Sequence, residues 1–462
     1  MSKIKLSHTT HHRSALNFIR LKKLFLATCI SLGLASFEVS AKENQSDTNL
    51  SIEQVLERVR TYQQSQGILL TQQDIANSNL KNSKLWKNPT LNVERAGFKN
   101  NQDQELSLGI SQPLDIFGER KASRQLANIA NDQVGLQERI YDEQLKVAVK
   151  YLWSQVVLAE IETELLLEQL KVSQESLNIA DKRYQAGSIA QVDVDRVRLT
   201  HTGNIKLIQE SKLKLEIARR QLANAWGKAA VEESVGRDIH SFWPEKTLEK
   251  VNTNLQDNLQ EKTLKIQLLE AQANVDLLKA QARPNPDLNV SMKRTKTPQD
   301  QTDNQLTVGV SIPLNIFNRN QHSVEITQAK TRLLQKQQDF YGAQNALEVQ
   351  TLLTEFHGLK EQFDLVVKKQ IPLAVNVQKR TFQGFSAGKF NVMDVQQATE
   401  QLHEVRLQSV QILKSAWQKS IEAESLSLGV EPSLVMSSDA LFQINQSLIK
   451  DTNALPVIGM GN

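Results

Sequence analysis

Two aspartates occupy matching places in this 462-residue chain, Asp193 six residues after Gly187 and Asp394 six residues after Gly388. A glycine that closes a helical stretch supplies the left-handed backbone conformation of a tight turn. The aspartate then falls in the first turns of the next helix, where the helix dipole favours a carboxylate. The chemistry on offer is electrostatic: such a group caps a helix or presents negative charge to a neighbouring space. The chain carries no glycine-rich phosphate loop, no nucleophile elbow and no metal-hydrolase signature, so it is read as a protein that is not an enzyme and has no cofactor.

Metal chemistry has equally little to rest on. His201, His240, His322, His357 and His403 are scattered and never form an i, i+4 pair, and no acidic cluster resembles a ligand set. The one cysteine, Cys29, lies in an apolar run from Leu24 to Phe37. That run follows a basic region (Lys3, Lys5, Arg13, Arg20, Lys22, Lys23) and precedes Val39-Ser40-Ala41, the layout of a secretory signal cut after Ala41. Leu26-Ala27-Thr28-Cys29 is a poor lipoprotein site, because Thr28 is large for its position. The signal holds six bases and one acid, Glu38, so its removal lowers the net charge from +4 to about −1 and leaves no case for a nucleic-acid partner.

The aspartates belong to an internal duplication. Pro89-Thr-Leu-Asn-Val matches Pro286-Asp-Leu-Asn-Val, 197 residues on; Leu106-Ser-Leu-Gly-Ile-Ser-Gln-Pro-Leu-Asp-Ile-Phe117 matches Leu306-Thr-Val-Gly-Val-Ser-Ile-Pro-Leu-Asn-Ile-Phe317, 200 on. Tyr184-Gln-Ala-Gly187 to Asp193-Val194 matches Phe385-Ser-Ala-Gly388 to Asp394-Val395, 201 on. Three collinear matches at one period predict a repeated supersecondary unit. The three additional residues of the second copy are expected in a loop. The chain divides into a signal (1–41), a first repeat (42–235), a linker (236–250), a second repeat (251–428) and a C-terminal tail (429–462).

Each copy reads as a helix, two alternating segments, a very long helix, a glycine turn and a further helix. Leu106, Leu108 and Ile110 alternate with Ser107, Gly109 and Ser111; Leu288, Val290 and Met292 with Asn289, Ser291 and Lys293; Leu306, Val308, Val310 and Ile312 with Thr307, Gly309 and Ser311. Such period-two patterns make strands with one apolar and one polar face. Polar loops at Lys99–Gln104 and Lys296–Asn304 make them hairpins, and Pro113 and Pro313 mark where each ladder ends at the strand-to-helix transition. From Glu119 to Gln185 only Gly135 interrupts good helix formers, which predicts a helix of about 100 Å. Its seam runs Leu145, Val149, Leu152, Val156, Ala159, Thr163, Leu166, Leu170, Ser173, Leu177, Ala180, Tyr184, and the second copy's runs Leu352, Phe356, Leu359, Phe363, Val366, Gln370, Leu373, Val377. This is coiled-coil spacing. With 23% charged and only 5% aromatic residues, the composition also favours long polar-faced helices over a large globular core.

No apolar run downstream of the signal is long enough to span a bilayer as a helix. A hairpin is too small to stand alone, and four strands cannot close a barrel in lipid. Three chains would supply twelve, enough for a barrel with an aqueous interior. The element order, the segments Ser111-Gln-Pro-Leu-Asp-Ile-Phe-Gly-Glu-Arg120 and Ser311-Ile-Pro-Leu-Asn-Ile-Phe-Asn-Arg319, and the Ala-Gly turns followed by Asp resemble the TolC-type outer-membrane factor family over nearly the whole mature chain, and most of all its CzcC branch of heavy-metal cation efflux.

That resemblance implies a mainly α chain with a transmembrane β-barrel: a homotrimer whose 12-stranded β-barrel, four strands per chain, crosses outer-membrane lipid and continues as a long periplasmic α-helical barrel. It implies a periplasmic adaptor and an inner-membrane RND-type pump as partners. Asp394 then faces the pore in a ring of three carboxylates, beside Gln397 where a second pore aspartate would stand, while Asp193 lies nearer the interhelical contacts. Gly187, Asp193 and Gly388 form the tip turns presented to the adaptor. The tyrosine and arginine that lock the closed tip in TolC correspond to Phe385 and Phe390, so that latch does not carry over. Drug or type I protein export is the alternative cargo class, and a periplasmic coiled-coil adaptor or structural protein the alternative fold; the duplicated hairpins weigh against both alternative folds.

Overall fold

Sequence periodicity becomes structure most directly in the first repeat. After α1 (Ile52–Ser65) and α2 (Ile68–Asn82), β1 (Thr90–Ala96) and β2 (Gln104–Pro113) form the first hairpin, and α3 runs unbroken over the 67 residues Glu119–Gln185 before α4 (Gln191–Asn224). The second half follows with α5 (Val251–Gln256), α6 (Leu259–Gln281), β3 (Asp287–Lys296), β4 (Thr302–Ser311), α7 (Gln321–Leu365), a π-type turn over Val366–Gln370, α8 (Ile371–Ser386) and α9 (Val392–Leu428). Two short helices close the chain, α10 (Pro432–Val435) and α11 (Ala440–Asn453). This computed structural model describes residues 50–99, 101–229, 235, 242–245 and 248–453, all within the unit Thr48–Asn462. The signal with Cys29, His240 and most of the linker and extreme C-terminus lie outside the described residues.

The four strands make one antiparallel sheet in the order β1-β2-β3-β4. Its central pairing, β2 with β3, joins the two repeats, with Leu108 opposite Met292 and Ile110 opposite Val290. Lateral rows therefore share a face: Val93, Leu108, Met292 and Leu306 in one, Leu91, Ile110, Val290 and Val308 in the next. These side chains are exposed, an apolar face with nothing packed against it, and the opposite face carries Ser107, Gly109, Ser291, Thr307 and the ion pair Lys293–Glu105 at 2.6 Å. The outer edges of β1 and β4 have no strand partner among the described residues.

The structure corrects two expectations. The three additional residues of the second copy are not in a loop: β1 has seven residues and β3 ten, and the second hairpin loop, 297–301, is the shorter of the two. The insertion lengthens strands because Thr302, Asp303 and Asn304, expected in the loop, pair with Lys296, Thr295 and Arg294. The second seam also shifts. Leu352, Phe356, Phe363 and Val366 are buried as expected, but Gln370, Leu373 and Val377 are exposed. Pro372 lacks the N–H that α-geometry would donate to Lys368, and the π turn just before it, with Ile371 N–H bonded to the Val366 carbonyl, absorbs the defect. One inserted residue rotates the seam, and the less exposed positions become Ile371, Ala374 and Gln378, with Phe385 buried.

In α3 the expected seam is the packed face: Leu145, Val149, Leu152, Val156 and Leu166 are buried, and Tyr184 alone is exposed at the tip. Its polar members are matched across the α3–α4 contact, Thr163 with Ser211 at 2.6 Å and Ser173 with His201 Nδ1 at 2.9 Å. Halfway along, Phe242 of the linker inserts between Trp153 and Trp417, stacking on Trp417 at 4.6 Å, and its carbonyl accepts from Trp417 Nε1 at 2.8 Å. The linker is thus part of the core there. Lys150 meets Glu424 at 2.5 Å close by, and burial pushes the Glu424 carboxyl above its usual range against the pull of Lys150. The described part of the expected tail, to residue 453, is also structured, with Ile444 of α11 buried and the Leu448 carbonyl accepting from Gln72 Nε2 at 3.0 Å.

The face assignment is testable. Lysine at Leu108 or Val308 should lower the amount of assembled membrane protein, at about 2–4 kcal/mol near mid-membrane, whereas lysine at Ser107 or Thr307 should be accommodated. Heat-modifiability on gels after membrane extraction reads this, and equal losses from both pairs would refute the register.

Candidate functional site

The helix pairs α3–α4 and α8–α9 each end in the same turn. Gly187 and Gly388 have φ of 70° and 77°, the left-handed values expected. Ser188 N–H bonds back to the Arg183 carbonyl and Gly187 N–H to Tyr184; Lys389 bonds to Gly384 and Gly388 to Phe385. Two reversed bonds around a left-handed residue satisfy carbonyls the helix would leave orphaned.

Both aspartates then sit at the third helical position. Asp394 N–H donates to Asn391 Oδ1 and the Asp394 carboxylate accepts from Asn391 N–H, each at 2.9 Å, a complete capping box at the start of α9. Asp193 has only half of one: it accepts from Ala190 N–H at 3.4 Å, Ala190 has no side-chain acceptor to return, and Arg196 lies 3.5 Å away. The matched aspartates are therefore inequivalent. Gln397, three residues after Asp394 and so on the same side of α9, is exposed.

The two tips of one chain grip each other through Phe385 and through Arg183, Gln396 and Thr200, three residues that sequence reasoning passed over. The Arg183 guanidinium lies 4.5 Å from the centre of the Phe385 ring and donates to the Phe385 carbonyl at 3.2 Å. Phe385 is 2% exposed, inside a small apolar cluster of Ala180, Val194, Val197, Val392 and Val395. Gln396 Nε2 reaches Thr200 Oγ1 at 2.8 Å. The Phe390 ring packs against Gly384, where a Cβ would come within 2.2 Å of it. Phe385 and Phe390 thus serve packing instead of a polar lock. The usable signal was the repeat itself, since Arg183 and Gly384 occupy equivalent positions with unlike residues.

At the other end of the long helices, Pro113 is the last residue of β2, opposite Asp287, and Leu114 N–H bonds to the Pro286 carbonyl at 2.8 Å; Pro313 lies two residues beyond β4. The residue that sequence reasoning missed here is Asp115, whose carboxylate accepts from Glu119 and Arg120 N–H at 2.8 and 2.9 Å and so starts α3. Its counterpart Asn315 instead donates to the Ala282 carbonyl. Around this transition Trp86, Ile116, Leu314, Ile316 and Phe317 are exposed, with Arg120 stacked on Trp86 at 3.8 Å. Exposed aromatic and aliphatic groups with cations beside them suit a membrane–water boundary. No helix among the described residues is long and apolar enough to cross a membrane.

Of the histidines described, His201 bonds to Ser173, His322 to Glu325 and His357 to its own helix, while burial and then Arg406 hold the His403 pKa below its ordinary value. Among the described residues no three His, Cys, Asp or Glu side chains are grouped to hold a metal.

The family model described as outer membrane efflux protein matches residues 72–228 and 252–426, the two repeats. The cobalt-zinc-cadmium resistance protein CzcC of Cupriavidus metallidurans is 24% identical over 314 residues, covering 66% of this chain and 73% of that protein. Among solved structures, CusC superposes with a TM-score of 0.66 at 16% identity over 83% of this chain and 92% of its own. The outer membrane protein VceC of Vibrio cholerae gives 0.64 at 14% identity, covering 82% and 96%.

Replacing Arg183 by Leu removes both the ring contact and the hydrogen bond to Phe385, at a local cost of about 1–2 kcal/mol. Amide exchange over residues 384–395 should accelerate roughly tenfold while that of α3 above Leu166 stays unchanged; unaltered exchange at the tip would show that the contact does not hold it.

Proposed function

Because the chain belongs to the outer membrane efflux protein family, we propose that it works as a trimeric conduit through which a divalent heavy-metal cation pump empties the periplasm to the exterior. The protein is an outer-membrane efflux channel with a periplasmic helical extension, in a family of channels and not of enzymes. The observation that carries the trimer is the four-stranded sheet: one face carries an exposed apolar band, and among the described residues its two outer edges are unpaired, while lipid tolerates no open edge. Three copies give twelve strands.

The helices support the same assembly. Along α7, Ile326, Leu333, Phe340 and Leu347 recur at intervals of seven and are 58–70% exposed, and α4 presents Val192, Leu199 and Leu213 on the same heptad positions, with Lys206 at the one between the last two. Exposed heptad stripes on two helices of one chain suit a head-to-tail ring in which each stripe packs on the neighbouring copy. The aspartate of the complete capping box, Asp394, with Gln397 beside it, is the residue we assign to the pore constriction; Gly187, Asp193 and Gly388 belong to the turns offered to a periplasmic adaptor, which links the channel to an inner-membrane RND-type pump. Three converging carboxylates attract cations and resist anions. The choice of heavy-metal cations rests on the similarity to CzcC.

Two measurements test this reading. Light scattering of the detergent-purified protein should give three copies, and Leu333→Glu with Phe340→Glu should reduce assembly at least tenfold; a folded, stable monomer would remove the barrel. In planar bilayers Asp394→Asn should lower cation preference while Asp193→Asn leaves it in place. Unchanged selectivity in Asp394→Asn would confine that carboxylate to its capping role, about 0.3–1 kcal/mol of local stability.

A further inference from the structure

The apolar face of the sheet ends in a basic row. The strand register places Arg95, Leu106, Arg294 and Asn304 side by side, one row beyond Val93, Leu108, Met292 and Leu306, on the same face, and at the end of the sheet nearest the hairpin loops. Arg95 and Arg294 stand two strands apart, about 10 Å. Arg294 has no ion pair among the described residues, and Arg95 has only the Phe98 ring, 5.6 Å away. The cations at the opposite end of the band are already engaged, Arg120 on Trp86, Arg283 near Phe117 and Lys87 with Glu119. The lysine of the polar face, Lys293, is paired with Glu105.

A guanidinium in hydrocarbon is costly, so this row marks the limit of the apolar layer. From Asn304 to Ile312 is eight residues, about 21 Å along the membrane normal for strands tilted by about 40°. Exposed Leu314 extends that surface toward the band of about 25 Å that lipid requires. The row then lies at the level of the headgroups on the side where the hairpin loops emerge, away from the periplasmic helices. We propose that Arg95 and Arg294 form a binding site for the phosphate groups of outer-leaflet lipids, each guanidinium gripping a phosphate through two parallel N–H donors. The proposal rests on the barrel reading above, which sets this face toward lipid.

The test is native mass spectrometry of the full chain, extracted from membranes in mild detergent, with a bis-phosphorylated glycolipid, the same lipid after dephosphorylation, and inorganic phosphate as competitor. Wild type should retain the phosphorylated lipid at least tenfold more than the dephosphorylated one. Arg95→Gln with Arg294→Gln should abolish that difference, Lys293→Gln should preserve it, and Arg95→Lys with Arg294→Lys should keep part of it. Equal retention by wild type and the double glutamine variant, or full displacement by millimolar inorganic phosphate, would overturn the lipid site. Insertion into liposomes separates the two levels: a chain that does not insert refutes the barrel and this site together, and a chain that inserts without phosphate-dependent retention refutes the site alone.

Discussion

Unpaired backbone in hydrocarbon is the constraint from which this architecture follows. Each unsatisfied N–H or C=O there costs several kcal/mol, and this chain carries a four-stranded sheet with two bare edges and an apolar face turned outward. Such a sheet is unstable in water and incomplete in lipid. The duplication is the economical answer, since one hairpin made twice, joined through the β2–β3 pairing, gives a third of the wall, with ends that are complementary in direction. The helices that follow have lengths unlike those of a globular domain because they continue the wall outside the membrane.

Most of this was legible because it is periodic. Period two in Leu306-Thr-Val-Gly-Val-Ser311 and the 4-3 spacing from Leu145 to Ala180 are local signals, and the structure follows them almost residue for residue. The failures share one cause: each depends on a residue acting at a distance. Pro372 moves the seam only because a missing donor is repaired by the π turn just before it, and no count of apolar positions registers that rotation. The longer strands of the second hairpin arise because Asp303 and Asn304, turn-formers by type, find partners in Thr295 and Arg294. Phe242 read as linker because only its neighbours Trp153 and Trp417, far off in sequence, make it core.

At the tips the repeat was legible and its asymmetry was not. Arg183 and Gly384 are equivalent by position, yet one supplies a cation to the Phe385 ring and the other an absence of side chain against which Phe390 lies. Duplicated elements that must touch each other cannot remain identical, because a surface is seldom complementary to itself unless it sits on a two-fold axis. Divergence is therefore expected where the copies meet, and it is there that Ala190 replaces the capping Asn391.

That substitution bears on what Asp394 can do in a pore. A carboxylate in a complete capping box is held in one rotamer by Asn391 N–H, so its position is set by the helix and not by solvent. The same bond and the positive end of the α9 dipole offset part of its charge. A ring of three such groups would present a fixed but softened negative potential, strong enough to favour a cation over an anion and too weak to strip its water and retain it. A conduit needs that balance, since an ion that binds tightly at the entrance no longer passes. In the proposed constriction, capping and selection would be one property of Asp394, and the incomplete box of Asp193, with Arg196 beside it, would make the matched residue a poor substitute.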